Sequence, residues 1–168
     1  IAASGKGVLL TYSFPSSDGW HIVPYGEGEW SGALRLTSVE IQAVKKGLAA
    51  YASLSGLKFK QVGDNQFKVG DLRFAGTTSA SPGENAHAYY PWNYPSAGDV
   101  WFNDDNWHTS SFTPIEKGTY DYLTIIHEIG HAVGLKHSHE GTFKLPAKLD
   151  HYGYTGMCYS ASPNGNNS

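Results

Sequence analysis

Four residues that could do chemistry fall within one short stretch, HEIGHAVGLKH: His127, Glu128, His131 and His137, with Gly134 between the last two histidines. Residues four apart on a helix share a face, one turn from each other, so His127 and His131 project side by side and can bind one ion. Gly134 accepts a positive φ at little cost; it can end the helix and swing the chain so that His137 returns toward the same point from another direction. Three imidazoles arriving from two directions leave a fourth coordination position open. Structural metal sites are closed by four protein ligands, whereas reactive ones keep a position for water. Glu128 follows His127 and points to a neighbouring face, where it can reach such a water rather than the ion and take its proton.

The plainer reading is an amphipathic helix carrying incidental surface histidines. It accounts for Ile125, Ile129 and Val133 as core positions. It leaves the placement of Glu128, Gly134 and His137 unexplained, and five fixed positions recur by chance in a chain of this length with an expectation on the order of 10⁻⁴ or less. The metal reading is therefore the stronger of the two.

A site of this kind needs a helix to carry it and a sheet to brace the helix. The pattern predicts a helix from about Thr119 to Val133, ended by Gly134. A second helix is expected near 38–54. Thr37 and Glu40 form a capping box there, Ile41, Val44, Leu48 and Tyr51 recur at helical spacing, and Gly56 supplies the stop. Strands are expected at GVLLTYSF (7–14), LKFKQV (57–62), FKVGDLRFA (67–75, interrupted by Gly70), AHAYYP (86–91) and GDVWFN (98–103). Strand, helix, several strands and helix make a mixed α/β pattern, with both helices expected on one face of a twisted sheet. The chain shows no internal repeat, and its tail, SASPNGNNS, has linker composition.

Size and charge narrow the function classes. The sequence has 168 residues, 40% hydrophobic and 16% charged, which suits one domain with a packed core. Net charge is −3 with scattered Lys and Arg, so no basic stripe argues for nucleic acid or for an anionic membrane. No apolar run reaches the roughly 18 residues that a membrane span needs. The opening, IAASGKGVLLTYSF, does not read as a signal peptide, so such a leader is expected to be absent or already removed. Cys158 is the single cysteine, which rules out an internal disulfide.

The pattern H-E-x-x-H-x-x-G-x-x-H, followed by a methionine turn, resembles the metzincin signature. The turn here is TGMCYS, holding Met157, the one methionine of the chain. Tyr159, two residues on, resembles the tyrosine of the serralysin M-S-Y motif, with Cys158 standing where serralysins usually have serine. AHAYYPWNYPSAGDVWFN is likewise similar to the serralysin edge-strand segment. The resemblance covers about 7–160 and is strongest from 86 to 159. It implies a metzincin zincin fold of the α/β (α+β) class: a twisted mixed five-stranded sheet with an antiparallel edge strand, an active-site helix and a Met-turn. It implies a secreted, extracellular zinc metalloendopeptidase (EC 3.4.24), in which His127, His131 and His137 hold Zn2+ and Glu128 is the general base. Met157 would floor the metal, and Tyr159 would be a switchable ligand released to bond the oxyanion. The partner would be a peptide or protein substrate in extended conformation, paired along His87, Ala88, Tyr89 and Tyr90; no nucleic acid or membrane partner is expected.

Serralysins continue into a closing C-terminal helix and a calcium-binding β-roll, neither of which is in this sequence. Residues 1–168 are therefore expected to be a single catalytic domain that is a fragment of a longer chain, with Ca2+ bound only through segments not present. The missing C-terminal segment, or a proteinaceous inhibitor, is a further expected partner. Two other functions stay open: an autoprocessing protease domain of a larger secreted protein, and a catalytically idle zinc-binding module. His21, His108, His139 and His151 lack ligand spacing and are expected at the surface. Cys158 is expected to be a small apolar filler.

Overall fold

The computed structural model describes residues 7–15, 25–26, 28–79, 81, 83–105, 107 and 113–161. Its two most buried strands, β4 (Leu72–Thr77) and β6 (Asp99–Asn103), are covered at every residue, as strands in the middle of a two-sided sheet must be. They run parallel, in register from Arg73 against Asp99 to Thr77 against Asn103. β1 (Leu9–Ser13) and β3 (Lys58–Gln61) extend the parallel part, and β5 (Ala86–Ala88) closes the other side antiparallel to β6. The order is β3-β1-β4-β6-β5, the expected five-stranded mixed sheet with an antiparallel edge.

One strand was not legible beforehand. β2 (Ala33–Leu34) is two residues long and pairs antiparallel with β4 at Gly76 and Thr77. One side of β4 belongs to β6; β1 and β2 share the other, β1 reaching only Leu72 and Arg73.

Side chains alternate across the sheet. Leu72, Phe74, Val100 and Phe102 point to one face and join α1 (Ser38–Ser55) and α2 (Tyr120–Ala132) in a single core through Val44, Leu48, Ile125 and Ile129. Ala75 and Trp101 point the other way and pack with Tyr25 and Ala33. Both helices thus lie on one face, as expected. The α1 start is the capping box read from the sequence: the Thr37 amide donates to Glu40 Oε2 at 2.6 Å, and the Glu40 amide donates to Thr37 Oγ1 at 3.3 Å.

Strand bounds differ from expectation where local side-chain chemistry competes with the ladder. The strand expected at 67–75 begins only at Leu72. Asn65 Oδ1 takes the amides of Phe67 and Lys68 at 2.9 and 3.1 Å, so 65–68 is a tight turn that leaves Phe67 exposed. The strand expected at 86–91 ends at Ala88, because the chain turns at Pro91 and folds back through Tyr94–Gly98.

Candidate active site

α2 starts at Thr119, whose hydroxyl takes the Tyr122 amide at 3.2 Å, and ends in a Schellman motif. The Leu135 amide donates to Gly130 O at 2.8 Å and the Gly134 amide to His131 O at 2.9 Å, with Gly134 at φ 99°. That left-handed residue turns the chain by the route its sequence position predicts, and His137 comes back over the helix. The three Nε2 atoms converge: 3.0 Å between His127 and His131, 3.1 Å between His131 and His137, 3.2 Å between His127 and His137.

Each ring is held from behind through Nδ1. His127 Nδ1 donates to Gly156 O at 2.7 Å, His131 Nδ1 to Leu135 O at 2.8 Å, and His137 Nδ1 to Glu140 Oε1 at 2.9 Å. Carbonyl and carboxylate oxygens only accept, so the neutral rings carry their proton on Nδ1 and turn three Nε2 lone pairs toward one point. Burial favours the neutral form of the two helix rings: desolvation pushes His127 down to about 4 and lowers His131 as well. Neutral imidazoles with their second nitrogen pinned are the donors a divalent ion requires. Tetrahedral ligands at zinc–nitrogen distances stand ~3.3 Å apart, so the observed triangle fits such an ion within a few tenths of an ångström. The same three histidines form a group whose ligand atoms lie within 4.8 Å of one another.

Glu128 is buried, 6% exposed, and its Oε2 has no hydrogen-bond partner among the described residues. Desolvation pushes its carboxyl up to about 8. It lines a cavity of about 230 Å³ together with His127, Tyr159, Cys158 and Ala86.

The Met-turn organises the triangle from below. Gly156 supplies the carbonyl that orients His127, and the Met157 carbonyl takes the Ser138 amide at 2.8 Å, tying down the residue after His137. A Cβ on Gly130 would sit 2.3 Å from Met157 Sδ, so the glycine inside the histidine motif is what admits the methionine against the helix. Tyr159 is exposed; its hydroxyl bonds His137 Nε2, and its ring centroid lies 4.5 Å from that of His137.

The structure therefore brings together His127, Glu128, His131, His137, Met157 and Tyr159. The edge strand divides. Ala88 faces the helix side, and the Tyr90 ring lies 5.3 Å from that of His131. His87 and Tyr89 turn their side chains to the opposite face, onto the buried carboxylate of Glu29. Cys158 is buried, its thiol donating to Thr155 O at 3.3 Å, as a small filler would be.

The other histidines differ from one another. His139 is exposed, as expected, and stacks on His137 at 5.3 Å. His151, expected at the surface, is buried: its Nδ1 takes the Gly153 amide at 3.2 Å inside a turn, against Tyr154. His21 and His108 lie outside the described residues. Sequence reasoning missed Gly156, Leu135 and Glu140 as orienting groups. For Glu140, three residues after His137, a spacing signal existed; the two carbonyls had none.

The matrixin peptidase family profile matches residues 31–145. Serralysin B of Dickeya chrysanthemi is 33% identical over 141 residues, covering 81% of this chain and 27% of its own length. The serralysin of Proteus mirabilis is 28% identical over 144 residues, 79% of this chain and 28% of its own. Interstitial collagenase of Bos taurus is 33% identical over 103 residues, 58% of this chain and 21% of its own. The chain spans about a quarter of the length of the serralysins it matches.

Proposed function

The chain belongs to the matrixin family, as a metzincin of serralysin-like kind, and from that premise we propose that it is the catalytic part of a secreted zinc endopeptidase that cuts extended peptide segments. One observation carries the reading: three Nε2 lone pairs within 3.0–3.2 Å of each other, beside a buried carboxylate whose Oε2 has no hydrogen-bond partner among the described residues. His127, His131 and His137 would hold the zinc. When bound, it supplies a Lewis acid that polarises the scissile carbonyl and makes a coordinated water acidic near neutral pH.

This chain's own groups do the rest. Glu128 Oε2 accepts the proton of the attacking water and passes it to the leaving amine nitrogen, working in a dry pocket where a carboxylate is a stronger base. The Tyr159 hydroxyl, now on His137 Nε2, can turn to donate to the oxygen that becomes negative. Met157 packs against Gly130 and forms the floor beneath the histidines.

The substrate would add as a strand. Tyr89 donates its amide to Asp99 O of β6 at 2.9 Å and accepts the amide of Gly98, just before β6, at 3.1 Å. By strand alternation the amides and carbonyls of Ala86 and Ala88 point to the open edge of β5. A chain pairing antiparallel there passes Tyr90 and His131 first and Ala86 last, which lays its scissile bond over the triangle.

Glu128→Ala tests the reading. The variant is expected to retain one zinc per chain by elemental analysis while peptide hydrolysis falls by about 10²–10⁴-fold. Undiminished hydrolysis would remove Glu128 from the mechanism. A wild-type protein that takes up zinc and cleaves no peptide would leave an idle binding module.

A further inference from the structure

The turn that follows His137 carries a second set of metal-binding groups. His137, His139 and Glu140 each offer one ligand atom, and these atoms lie within 4.8 Å of one another. The turn that holds them is pinned. The Ser138 amide donates to Met157 O at 2.8 Å, the Leu145 amide to Ser138 O at 2.8 Å and the Glu140 amide to His137 O at 3.1 Å. His139 stacks on His137 with the ring planes 5° from parallel. Its Nδ1 lies 3.8 Å from Asp150 Oδ2, and a carboxylate at that range favours the proton on the nearer nitrogen, leaving the other its lone pair. The side chains of His139 and Glu140 are 43% and 46% exposed, so an ion can reach both from solvent. Glu140 bonds His137 Nδ1 through Oε1, and a carboxylate has a second oxygen to offer.

We propose that His139 and Glu140 hold a second divalent transition ion, zinc, nickel or copper, with water completing its shell, and that this ion restrains the peptidase. His137 is already committed to the triangle, which leaves these two side chains. An imidazole with a carboxylate is a donor pair that such ions accept. The site itself stands apart from the endopeptidase reading; the restraint rests on it. An ion on Glu140 competes with His137 for the same carboxylate. Drawing Glu140 away removes the group that orients His137, whose Nε2 belongs to the triangle. The His139 and Tyr159 rings are 5.9 Å apart, so the ion also crowds the hydroxyl that turns to the oxyanion. Two protein ligands hold less firmly than three, and the Lys136 ammonium beside Gly141 adds a like charge nearby. The second ion therefore binds after the triangle is filled and more weakly.

Equilibrium dialysis of the wild-type protein against rising free zinc, read by elemental analysis, tests the site. Two zinc per chain are expected, the second bound more weakly than the first. His139→Ala, a change at an exposed position, should keep the first and lose the second, and Glu140→Gln should lose the second as well. Peptide hydrolysis by the wild type should fall by about tenfold as the second zinc binds, while His139→Ala holds its rate across the same range. A wild type that saturates at one zinc overturns the site, and so does a second zinc that both variants retain. Undiminished hydrolysis at two zinc overturns the restraint. Two zinc in the wild type and one in His139→Ala, with no hydrolysis at any zinc level, sinks the endopeptidase reading and keeps the site.

Discussion

The sheet buries polar groups on both of its faces, and the two faces treat them differently. On the face away from the helices the buried charges, among the described residues, lie against opposite charges or hydrogen-bond donors. Arg73 grips Asp64 through two bonds at 2.8 and 2.9 Å, Asp99 stands 3.7 Å from the same guanidinium and takes the Tyr25 hydroxyl, and Glu29 is bonded by His87 and Tyr89. On the helix face three lone pairs point at each other and a carboxylate oxygen has no hydrogen-bond partner among the described residues. Matched groups stabilise a fold; buried groups whose needs the protein leaves unmet are kept for something the protein binds. Composition does not separate the two faces, since both use His, Glu and Tyr. The difference lies in where the protons sit. Beneath the sheet donors meet the carboxylates of Asp64, Asp99 and Glu29, whereas above it three ring nitrogens converge on one point.

The contrast can be broken most forcefully from the matched side. Arg73→Met leaves Asp64 and Asp99 buried without their counter-ion, side chains 2% and 4% exposed. Removing one member of such a pair costs about 3–5 kcal/mol, so the urea midpoint should fall steeply while zinc content of the folded fraction stays the same. A loss under about 1 kcal/mol would mean that these charges are not matched partners. On the other face the corresponding change is smaller and affects binding rather than folding. Glu140 is the one charged group among the three that orient the rings, and it sits at the surface. Glu140→Gln should weaken zinc binding by about tenfold in competition with a chelator and leave the urea midpoint of the metal-free protein unmoved. An unchanged affinity would show that His137 needs no carboxylate behind it.

Much of the site was legible because its logic is local. Helical period pairs His127 with His131, and one glycine with positive φ returns His137; both follow from spacing alone. The capping box at Thr37 was readable for the same reason, whereas Met157 was placed through the resemblance to a methionine turn. What stayed hidden depends on tertiary contact. Every residue has a carbonyl, so nothing in the sequence marks those of Gly156 and Leu135 as the acceptors that fix two tautomers. Alternation sorts the edge strand into His87 and Tyr89 against Ala86, Ala88 and Tyr90, but which set meets the cleft depends on which face the helices cover. β2 is too short to carry a period, and His151 looked like a surface residue because the turn that buries it is made only when the chain folds back toward the Met-turn.

The edge strand supplies the smallest and most specific test, because His87 belongs to the matched face while its neighbours border the unmatched one. Burial alone would lower His87, but the hydrogen bond to Glu29 and the charges of Glu84 and Glu29 outweigh it and raise its pKa above 6.5. Burial likewise would raise Glu29, yet bonds from His87 and Tyr89 bring it down to about 2. The signs follow from linkage. A base raised in the folded state gives stability that is full below its unfolded value of 6.5 and is lost as pH climbs through the raised one. An acid lowered from 4.5 to about 2 gives stability that is full above 4.5 and is lost as pH falls toward 2. Both are present together from about pH 4.5 to 6.5. His87→Gln should therefore cost about 1 kcal/mol at pH 5.5, allowing for partial exposure, and close to nothing at pH 9, read as the difference in urea unfolding from wild type at each pH. A cost that stays constant across that range would mean that His87 is held there by packing against Tyr89, with its charge playing no part.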